Sequence, residues 1–216
     1  MCIRDRISAD AGDISIDFEV NAMEAPVLQG DAGYSRKTAD GRAASYYYSI
    51  PSIETHGTLS IQGERWTVSG ETWMDREWSS AILTPGQSGW DWFSLNLDNG
   101  VKLMIFQVRD GSGQAFRHIA MLNPEGDLTQ LDSSVMMLNA ERIWSSPHSG
   151  RRYPIDWTIG AQSSEGDWSL HVTPVLDDQE INLAFRYYEG LVRVSGEWQG
   201  GSVSGWGYME LTGYGD

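Results

Sequence analysis

Residues 65–80 read RWTVSGETWMDREWSS and bring three tryptophans together with charged side chains. A strand with a period of two gives this stretch one apolar face. The opposite face carries acids beside an indole ring: Thr67, Ser69, Glu71, Trp73 and Asp75. A carboxylate held against aromatic rings costs free energy unless it is paired, hydrated or functional. Asp75 is therefore a candidate site residue, although an exposed strand end with Asp75 in a turn would give the same pattern.

The stretch has an internal counterpart. VSGETWMD begins at Val68 and VSGWGYME begins at Val203, an offset of 203 − 68 = 135 residues that sets Asp75 on Glu210. The preceding hairpins also match, GTLSIQGERWTVSG against GLVRVSGEWQGGSVSG, with two residues inserted in the second turn. Chance similarity between hairpins is common, but the shared length and the shared acid favour a duplication. The sequence thus predicts two similar β-subdomains.

Most of the remaining chain reads as short strands with turn signals between them. DISIDFEV at 13–20 alternates apolar and polar residues, and SYYYSIPSI at 45–53 is a β-prone run that Pro51 should end. Asp98-Asn99-Gly100 is a strong hairpin turn. Residues 128–144 fit one short helix or two short strands. The pattern predicts an all-β fold of barrels or sandwiches.

The net charge of the chain argues against some classes of binding partner. The chain has 216 residues and a formal net charge of -15, which argues against nucleic acid and against an anionic membrane surface as partners. The one cysteine, Cys2, allows no internal disulfide. The start, MCIRDRISADAGD, lacks the apolar core of a signal peptide, and we expect the true N-terminus to be missing from this sequence.

Motifs for metals and cofactors are weak. The four histidines have no ligand spacing, and no phosphate-binding or dinucleotide-binding glycine pattern is present. A G-x-S-x-G nucleophile elbow is also missing from the sequence. We therefore predict neither a metal site nor a cofactor.

Aromatic residues are abundant, with ten Trp, nine Tyr and five Phe. The runs YYY at 46–48 and WDWF at 90–93 must place aromatic rings on both faces of their strands. One face is then core, and the other is either a subdomain interface or the lining of a cavity for a long apolar ligand. We expect Trp90 and Trp92 to share a face and to pack beside residues 73–78, where the two subdomains meet.

A string of motifs in fixed order resembles a known family. YYYSIP, GETWMDREWSS, GWDWFSLNLDNG, WSSPHSGRRYP, TPVLDDQE, YYEG, VRVSG and GYMELTGYGD follow one another as in AttH-like proteins. These are similar to carotenoid 1,2-hydratases (hydroxyneurosporene synthases) within one lipocalin-like superfamily. The resemblance covers roughly residue 30 to the end. It implies two tandem lipocalin-like antiparallel β-barrel or sandwich domains, with an incomplete first domain at 1–86 and a complete second domain at 87–216.

The resemblance also implies site residues. The hydratases use a His-x-aromatic pair on one strand and a Tyr-x-Asp pair on a later one, which here correspond to Tyr46 with Tyr48 and to Trp73 with Asp75. Tyr46 replaces the histidine, and this difference sets the chain nearer the AttH-like branch. As catalytic residues the resemblance suggests Asp75 and Tyr46. As ligand-binding residues we predict Tyr48, Trp73, Trp78, Trp90 and Trp92.

Two functions follow from the resemblance. The first is binding of a hydrophobic small molecule, a carotenoid, isoprenoid or lipid, in an aromatic-lined cavity. Such a protein would work in the periplasm or cell envelope, with possible membrane association. The second is cofactor-free hydration or cyclisation of an alkene, with Asp75 as general acid. An aspartate near its reference pKa of about 3.9 is ionised at pH 7, so this role requires desolvation that raises the pKa.

Overall fold

The computed structural model describes residues 3–22, 24–81, 83–111, 115–162, 166–183 and 185–215. Cys2 lies outside the described residues. The chain forms two compact units, of which the first holds Met1–Ser35 and Ser45–Trp78, and the second holds Arg36–Ala44 and Ser79–Asp216. The boundary between residues 86 and 87 stays a prediction.

Strands account for nearly all of the regular structure, as the sequence predicted. Numbered in chain order, they are β1 Ile3–Asp10, β2 Ile14–Ala22, β3 Val27–Leu28, β4 Tyr34–Arg36, β5 Ala44–Ile61, β6 Glu64–Trp78, β7 Gln87–Leu97, β8 Lys102–Asp110, β9 Ala115–Leu122, β10 Leu128–Leu131, β11 Met136–Ser145, β12 Arg152–Ala161, β13 Trp168–Pro174, β14 Glu180–Asn182, β15 Arg186–Trp198 and β16 Gly201–Leu211. A turn of 3-10 helix at Ser133–Val135 lies between β10 and β11. Within the described ranges there is no α-helix with the length and apolarity to cross a bilayer.

The first unit is a six-stranded sheet organised around β5. This strand has 18 residues, pairs with β2 along its second half and with β6 along most of its length, and also contacts the short strands β3 and β4. β1 continues the sheet beyond β2. The small core contains Val20, Ala22, Ile50 and Ile53, with Phe18 and Tyr48 packed against it.

The second unit is a ten-stranded antiparallel sheet. Its strand order is β10-β9-β8-β7-β16-β15-β13-β12-β11, with β14 paired to β15, and among the described strands this order does not close into a barrel. β7 pairs with β16, so the first and last strands of this unit are neighbours. One large core follows the alternate residues of the strands and includes Phe93, Leu95, Ile105, Tyr153, Ile155, Leu170 and Met209, each with no exposed surface.

The internal counterpart found in the sequence corresponds to two hairpins with the same construction. β5–β6 turns at Gln62-Gly63 and β15–β16 turns at Gln199-Gly200, and all four residues have positive φ, between 50° and 85°. Positive φ at both central residues is the signature of the tight turn that matches strand twist. The duplicated motif is thus, in each sheet, a β-hairpin closed by a two-residue turn.

The length difference between the two hairpins lies in the strands and not in the second turn, which corrects the sequence alignment. Val68 pairs with Gly57, and Val203 pairs with Gly196. The separations are 68 − 57 = 11 and 203 − 196 = 7 residues, so the first hairpin is longer by two residue pairs. Both glycines lie against the next strand, with Phe18 opposite Gly57 and Leu170 level with Gly196.

The structure corrects one local expectation from the sequence, at Pro51, and at residues 128–144 it has the two strands that were one of the two alternatives. Pro51 does not end a strand, because β5 continues through it with a register shift between Ile50 and Ile53. A proline is tolerated in a sheet at such a bulge, where its missing N–H breaks no ladder bond. Residues 128–144 contain β10, the 3-10 turn and most of β11.

The glycine inside the second hairpin gives a stability prediction. A Cβ at Gly196 would meet the Ser169 carbonyl oxygen and lie 2.9 Å from the Leu170 Cα atom, both of them backbone. We expect Gly196→Ala to lower the free energy of unfolding by about 1–3 kcal/mol, because backbone cannot move aside as a side chain can. The measurement is urea denaturation followed by tryptophan fluorescence.

Gly201→Ala is the matched control in the same hairpin. The nearest atom to a Cβ there is the Trp198 carbonyl oxygen at 3.6 Å, an ordinary contact, so we expect a change within about 0.5 kcal/mol. Equal denaturation midpoints for the two variants would contradict the prediction.

Candidate functional site

The register of β5 against β6 decides which side chains surround Asp75. Ser49 is the direct cross-strand partner of Asp75, and Tyr47 is the partner of Glu77. Because side chains alternate along a strand, one face of this pair carries Tyr47, Ser49, Asp75 and Glu77, joined by Trp73. Polar groups are thereby concentrated on one face of the first unit.

The Asp75 carboxylate accepts three hydrogen bonds. Its Oδ1 accepts from Ser49 Oγ at 2.5 Å and from Trp73 Nε1 at 2.9 Å, and its Oδ2 accepts from the Tyr47 hydroxyl at 2.8 Å. Ser49 is fully buried and Tyr47 is 3% exposed. The donors are therefore fixed by packing, which holds the carboxylate in one orientation.

Burial raises the pKa of Asp75 above its ordinary value. The hydrogen bonds from Ser49, Trp73 and Tyr47 act in the opposite direction, and the nearby Glu77 carboxylate raises the pKa slightly further. The residue as a whole is exposed, whereas protein groups crowd its carboxylate. The pKa follows the surroundings of the carboxylate, since protonation occurs there. Glu77 has its own donor, because Ser45 Oγ lies 2.5 Å from Glu77 Oε1.

Tyr46 and Tyr48, which the resemblance pairs with Trp73 and Asp75 in one site, do not lie on the Asp75 face. Tyr46 is opposite Trp78 and Tyr48 is opposite Arg76, one residue out of phase with Asp75. The hydroxyl that reaches Asp75 belongs to Tyr47. Sequence reasoning recognised that Tyr46 and Tyr48 share a face, but not which face of β6 they meet, because the bulge at Pro51 sets that register.

The predicted residues on the other face form an aromatic cluster. The ring centroids of Tyr46 and Trp78 are 5.9 Å apart, those of Tyr48 and Trp78 are 6.3 Å apart, and those of Tyr34 and Tyr46 are 6.3 Å apart. Tyr46 is 59% exposed and Trp78 is 52% exposed. Large aromatic side chains with this much exposed surface are available to an apolar ligand.

Trp90 and Trp92 lie in the second unit, on β7. Both are half-buried, and Trp90 Nε1 donates to Glu210 Oε1 at 3.1 Å. Their role as ligand-binding residues, and their packing beside residues 73–78, stay predictions. Glu210 is the residue that the sequence repeat matched to Asp75, so each acid of the repeat accepts a hydrogen bond from an indole N–H.

A cavity of about 1030 Å³ lies in the second unit, and its lining includes Lys37, Arg42, Phe116 and Arg117. None of the predicted ligand-binding residues lines it. In the portion of the chain that the structure describes, no group of three His, Cys, Asp or Glu side chains is arranged to hold a metal ion.

Comparison with known families settles the relationship. A family model described as AttH-like matches residues 2–214. The chain belongs to the AttH-like family. A crystal structure described as AttH from Nitrosomonas europaea superimposes with a TM-score of 0.88 at 34% identity, and covers 99% of this chain and 65% of that one. This AttH-like chain therefore has the lipocalin-like fold that the motif string indicated.

Curated relatives of the AttH-like chain carry hydratase and dehydratase names. Kievitone hydratase of Fusarium solani subsp. phaseoli is 25% identical over 215 residues, which is 96% of this chain and 59% of the relative. The dehydratase asqC of Emericella nidulans is 23% identical over 221 residues, which is 96% of this chain and 60% of the relative. The AttH-like chain thus spans about three fifths of the length of these relatives.

The crystal structure of kievitone hydratase from Nectria haematococca shares the fold. It superimposes with a TM-score of 0.80 at 22% identity, and covers 97% of this chain and 64% of that one. At this identity the likeness concerns the fold alone.

The Asp75 network predicts different effects for two neighbouring tyrosines. Tyr47→Phe removes a donor from the carboxylate, so the pKa of Asp75 should rise further. Tyr46→Phe, the matched control on the opposite face, should leave it unchanged. The pKa is measured by NMR titration of isotope-labelled aspartate. Equal pKa values in the two variants would show that the Tyr47 hydroxyl does not hold the acid.

The raised pKa of Asp75 also determines how the free energy of unfolding changes with pH. Because the folded-state pKa of Asp75 is raised, the folded chain binds more protons than the unfolded chain. The stability contributed by Asp75 is fully present below the unfolded-state pKa and is lost as pH rises through the folded-state pKa. Tyr47→Phe should move this loss to higher pH.

Proposed function

We propose that this AttH-like protein adds water to, or removes water from, a carbon–carbon double bond of an apolar organic substrate, with Asp75 as the proton-transferring acid. One observation carries the proposal. A carboxyl group with a raised pKa is held by three fixed donors in a family whose relatives include a hydratase and a dehydratase.

The chemistry balances as a hydration. Protonated Asp75 gives its proton to one alkene carbon, so that a C–H bond forms as the carboxyl O–H bond breaks. The water oxygen then forms a C–O bond with the resulting carbocation, and the surplus proton of the water returns to the carboxylate. Dehydration is the same sequence reversed. The acid must be partly protonated near neutral pH, and desolvation of the carboxyl group works in that direction.

The surrounding side chains suit both halves of this cycle. The Trp73 indole lies beside the carboxyl group, and the face of an indole ring can stabilise a nearby cation by roughly 0.5–2 kcal/mol. The hydroxyl of Tyr47 can reverse its hydrogen bond when Asp75 is protonated, because a hydroxyl is both a donor and an acceptor. The Asp75 carboxyl group therefore keeps its hydrogen-bond partners in either protonation state.

The experiment is a hydration assay in oxygen-18-labelled water. The substrates are kievitone, which the name of a relative suggests, and an acyclic carotene, which the hydratase resemblance suggests. The expected product gains one water with the heavy isotope, detected by mass spectrometry. Asp75→Asn should reduce turnover by about 10²–10⁴-fold with little change in binding, because the amide keeps the shape but has no acidic proton.

Tyr46→Phe is the control for this assay, since the structure sets Tyr46 on the opposite face. The sequence suggested Tyr46 as catalytic, and a loss of turnover in Tyr46→Phe as large as in Asp75→Asn would restore that role. Full turnover in Asp75→Asn would refute the acid mechanism.

Hydrophobic-ligand binding is the second candidate, and the exposed cluster of Tyr34, Tyr46, Tyr48 and Trp78 favours it. A carrier of carotenoids, isoprenoids or lipids would work beside a membrane, so the envelope location and membrane association belong to this proposal. Trp78→Ala should weaken uptake of carotenes and fatty acids, measured by native mass spectrometry. Trp206→Ala, which removes an equally exposed tryptophan from the second unit, should not. Equal uptake by both variants would count against the cluster.

A further inference from the structure

Gln29 lies beside the Asp75 network, held there by its backbone. It follows β3 directly and is 1% exposed. Gln29 N donates to the Tyr47 carbonyl at 3.0 Å, and Tyr47 N donates to the Gly33 carbonyl at 2.9 Å. The segment around residues 29–33 is thus fastened to β5 on both sides of the tyrosine that binds Asp75.

Close packing at the next residue fixes this segment further. Gly30 has a φ of 70°, and a Cβ there would meet the backbone of Tyr34 and Ser35. Only glycine combines a positive φ with that approach. The Gln29 side chain is therefore positioned by a turn that the sequence can form in only one way.

The Gln29 amide extends the chain of hydrogen bonds that ends at Asp75. Gln29 Nε2 donates to Ser49 Oγ at 3.0 Å, and Ser49 Oγ donates to Asp75 Oδ1 at 2.5 Å. The direction of this chain is fixed, because Ser49 has one hydroxyl proton and gives it to the carboxylate. The amide nitrogen of Gln29 must then face Ser49, and Oε1 faces away from it.

Gln29 Oε1 is buried and accepts no hydrogen bond from any residue that the structure describes. A buried acceptor without a donor is unfavourable, so such atoms in proteins usually bind a water or a ligand group. The hydrocarbon around the reacting double bond of a substrate has no donor to offer. The group that fits is an O–H, on a side chain that Ser49 links by hydrogen bonds to an acid whose proposed reaction adds or removes water.

We propose that Gln29 binds, through Oε1, the water that is added to the substrate, or the hydroxyl group that leaves in the reverse direction. This inference rests on the proposed hydration chemistry and names the residue that positions its second reactant. A water that donates one hydrogen to Gln29 Oε1 keeps a lone pair free to form the C–O bond. Its other proton returns to the Asp75 carboxylate, while the amide itself is neither protonated nor consumed.

The first test needs no substrate. A crystal structure of the protein should show an ordered water or hydroxyl group within hydrogen-bond distance of Gln29 Oε1. The Gln29→Met variant, with a side chain of similar length and no acceptor, should lack it. A protein donor on Oε1, or an apolar contact there, would overturn the assignment even if the protein proves to be a hydratase.

The second test uses the hydration assay. Gln29→Met should lower kcat by about a hundredfold and leave KM for the apolar substrate nearly unchanged, because the residue positions water and not the hydrocarbon. Gln107→Met is the matched control, since Gln107 is also buried and its amide also donates to a side chain, in this case Asp91 at 2.7 Å. It should leave kcat of the folded protein unchanged.

The outcomes separate the two proposals. If the unmodified protein hydrates a probe and Gln29→Met keeps its kcat, the role of Gln29 is refuted and the hydratase function stands. If no probe is hydrated, the function fails, and the first test alone decides whether Gln29 Oε1 is a water site.

Discussion

The hydrogen bond between Ser49 and Asp75 depends on a single register, and the rest of the candidate site depends on that bond. β5 and β6 pair so that a fully buried serine lies directly opposite the acid. A slip of one residue would exchange the two faces and bring Tyr46 and Tyr48 to the carboxylate. The pairing shifts by one residue at the bulge between Ile50 and Ile53, and this shift gives Asp75 its observed partner. The backbone geometry at Pro51, a residue without polar side-chain atoms, thus determines which side chains surround Asp75.

Much of the fold could be predicted from the sequence, because strand periodicity and turn residues are local signals. The alternation of β2, the Asp98-Asn99-Gly100 turn and the hairpin repeat all correspond to observed elements. The face shared by Trp73 and Asp75 was also predictable, since it needs only a period of two. Tyr47 and Gln29 were not, because their positions depend on a bulge and on a two-residue strand that pairs with β5. Neither feature has a pattern of its own, although the alternation of Ser45, Tyr47 and Ser49 marks a polar face.

In each sheet an acid of the sequence repeat accepts a hydrogen bond from an indole N–H, but the other groups around the acid differ. In the first, Asp75 accepts from an indole on its own strand, and two hydroxyls complete the set. In the second, Glu210 accepts from the Trp90 indole on a neighbouring strand and lies opposite Glu189, another acid, whose pKa burial raises. Like charges directly opposite on neighbouring strands are unfavourable. The matched acid is thus surrounded by hydroxyl donors in one copy and lies directly opposite a second acid in the other.

The unequal length of the two hairpins has a consequence for folding fidelity. Chains that contain similar repeats risk exchanging equivalent elements during folding, and both hairpins here close through the same Gln-Gly turn. If β6 paired with β7 in place of β16, Val68 and Gly70 would occupy the positions of Val203 and Gly205. The turn of the β5–β6 hairpin would then extend two residue pairs beyond the position of the β15–β16 turn. The extra length would leave those pairs without a neighbour on the host sheet. The difference in length therefore disfavours exchange of the two hairpins between the sheets during folding.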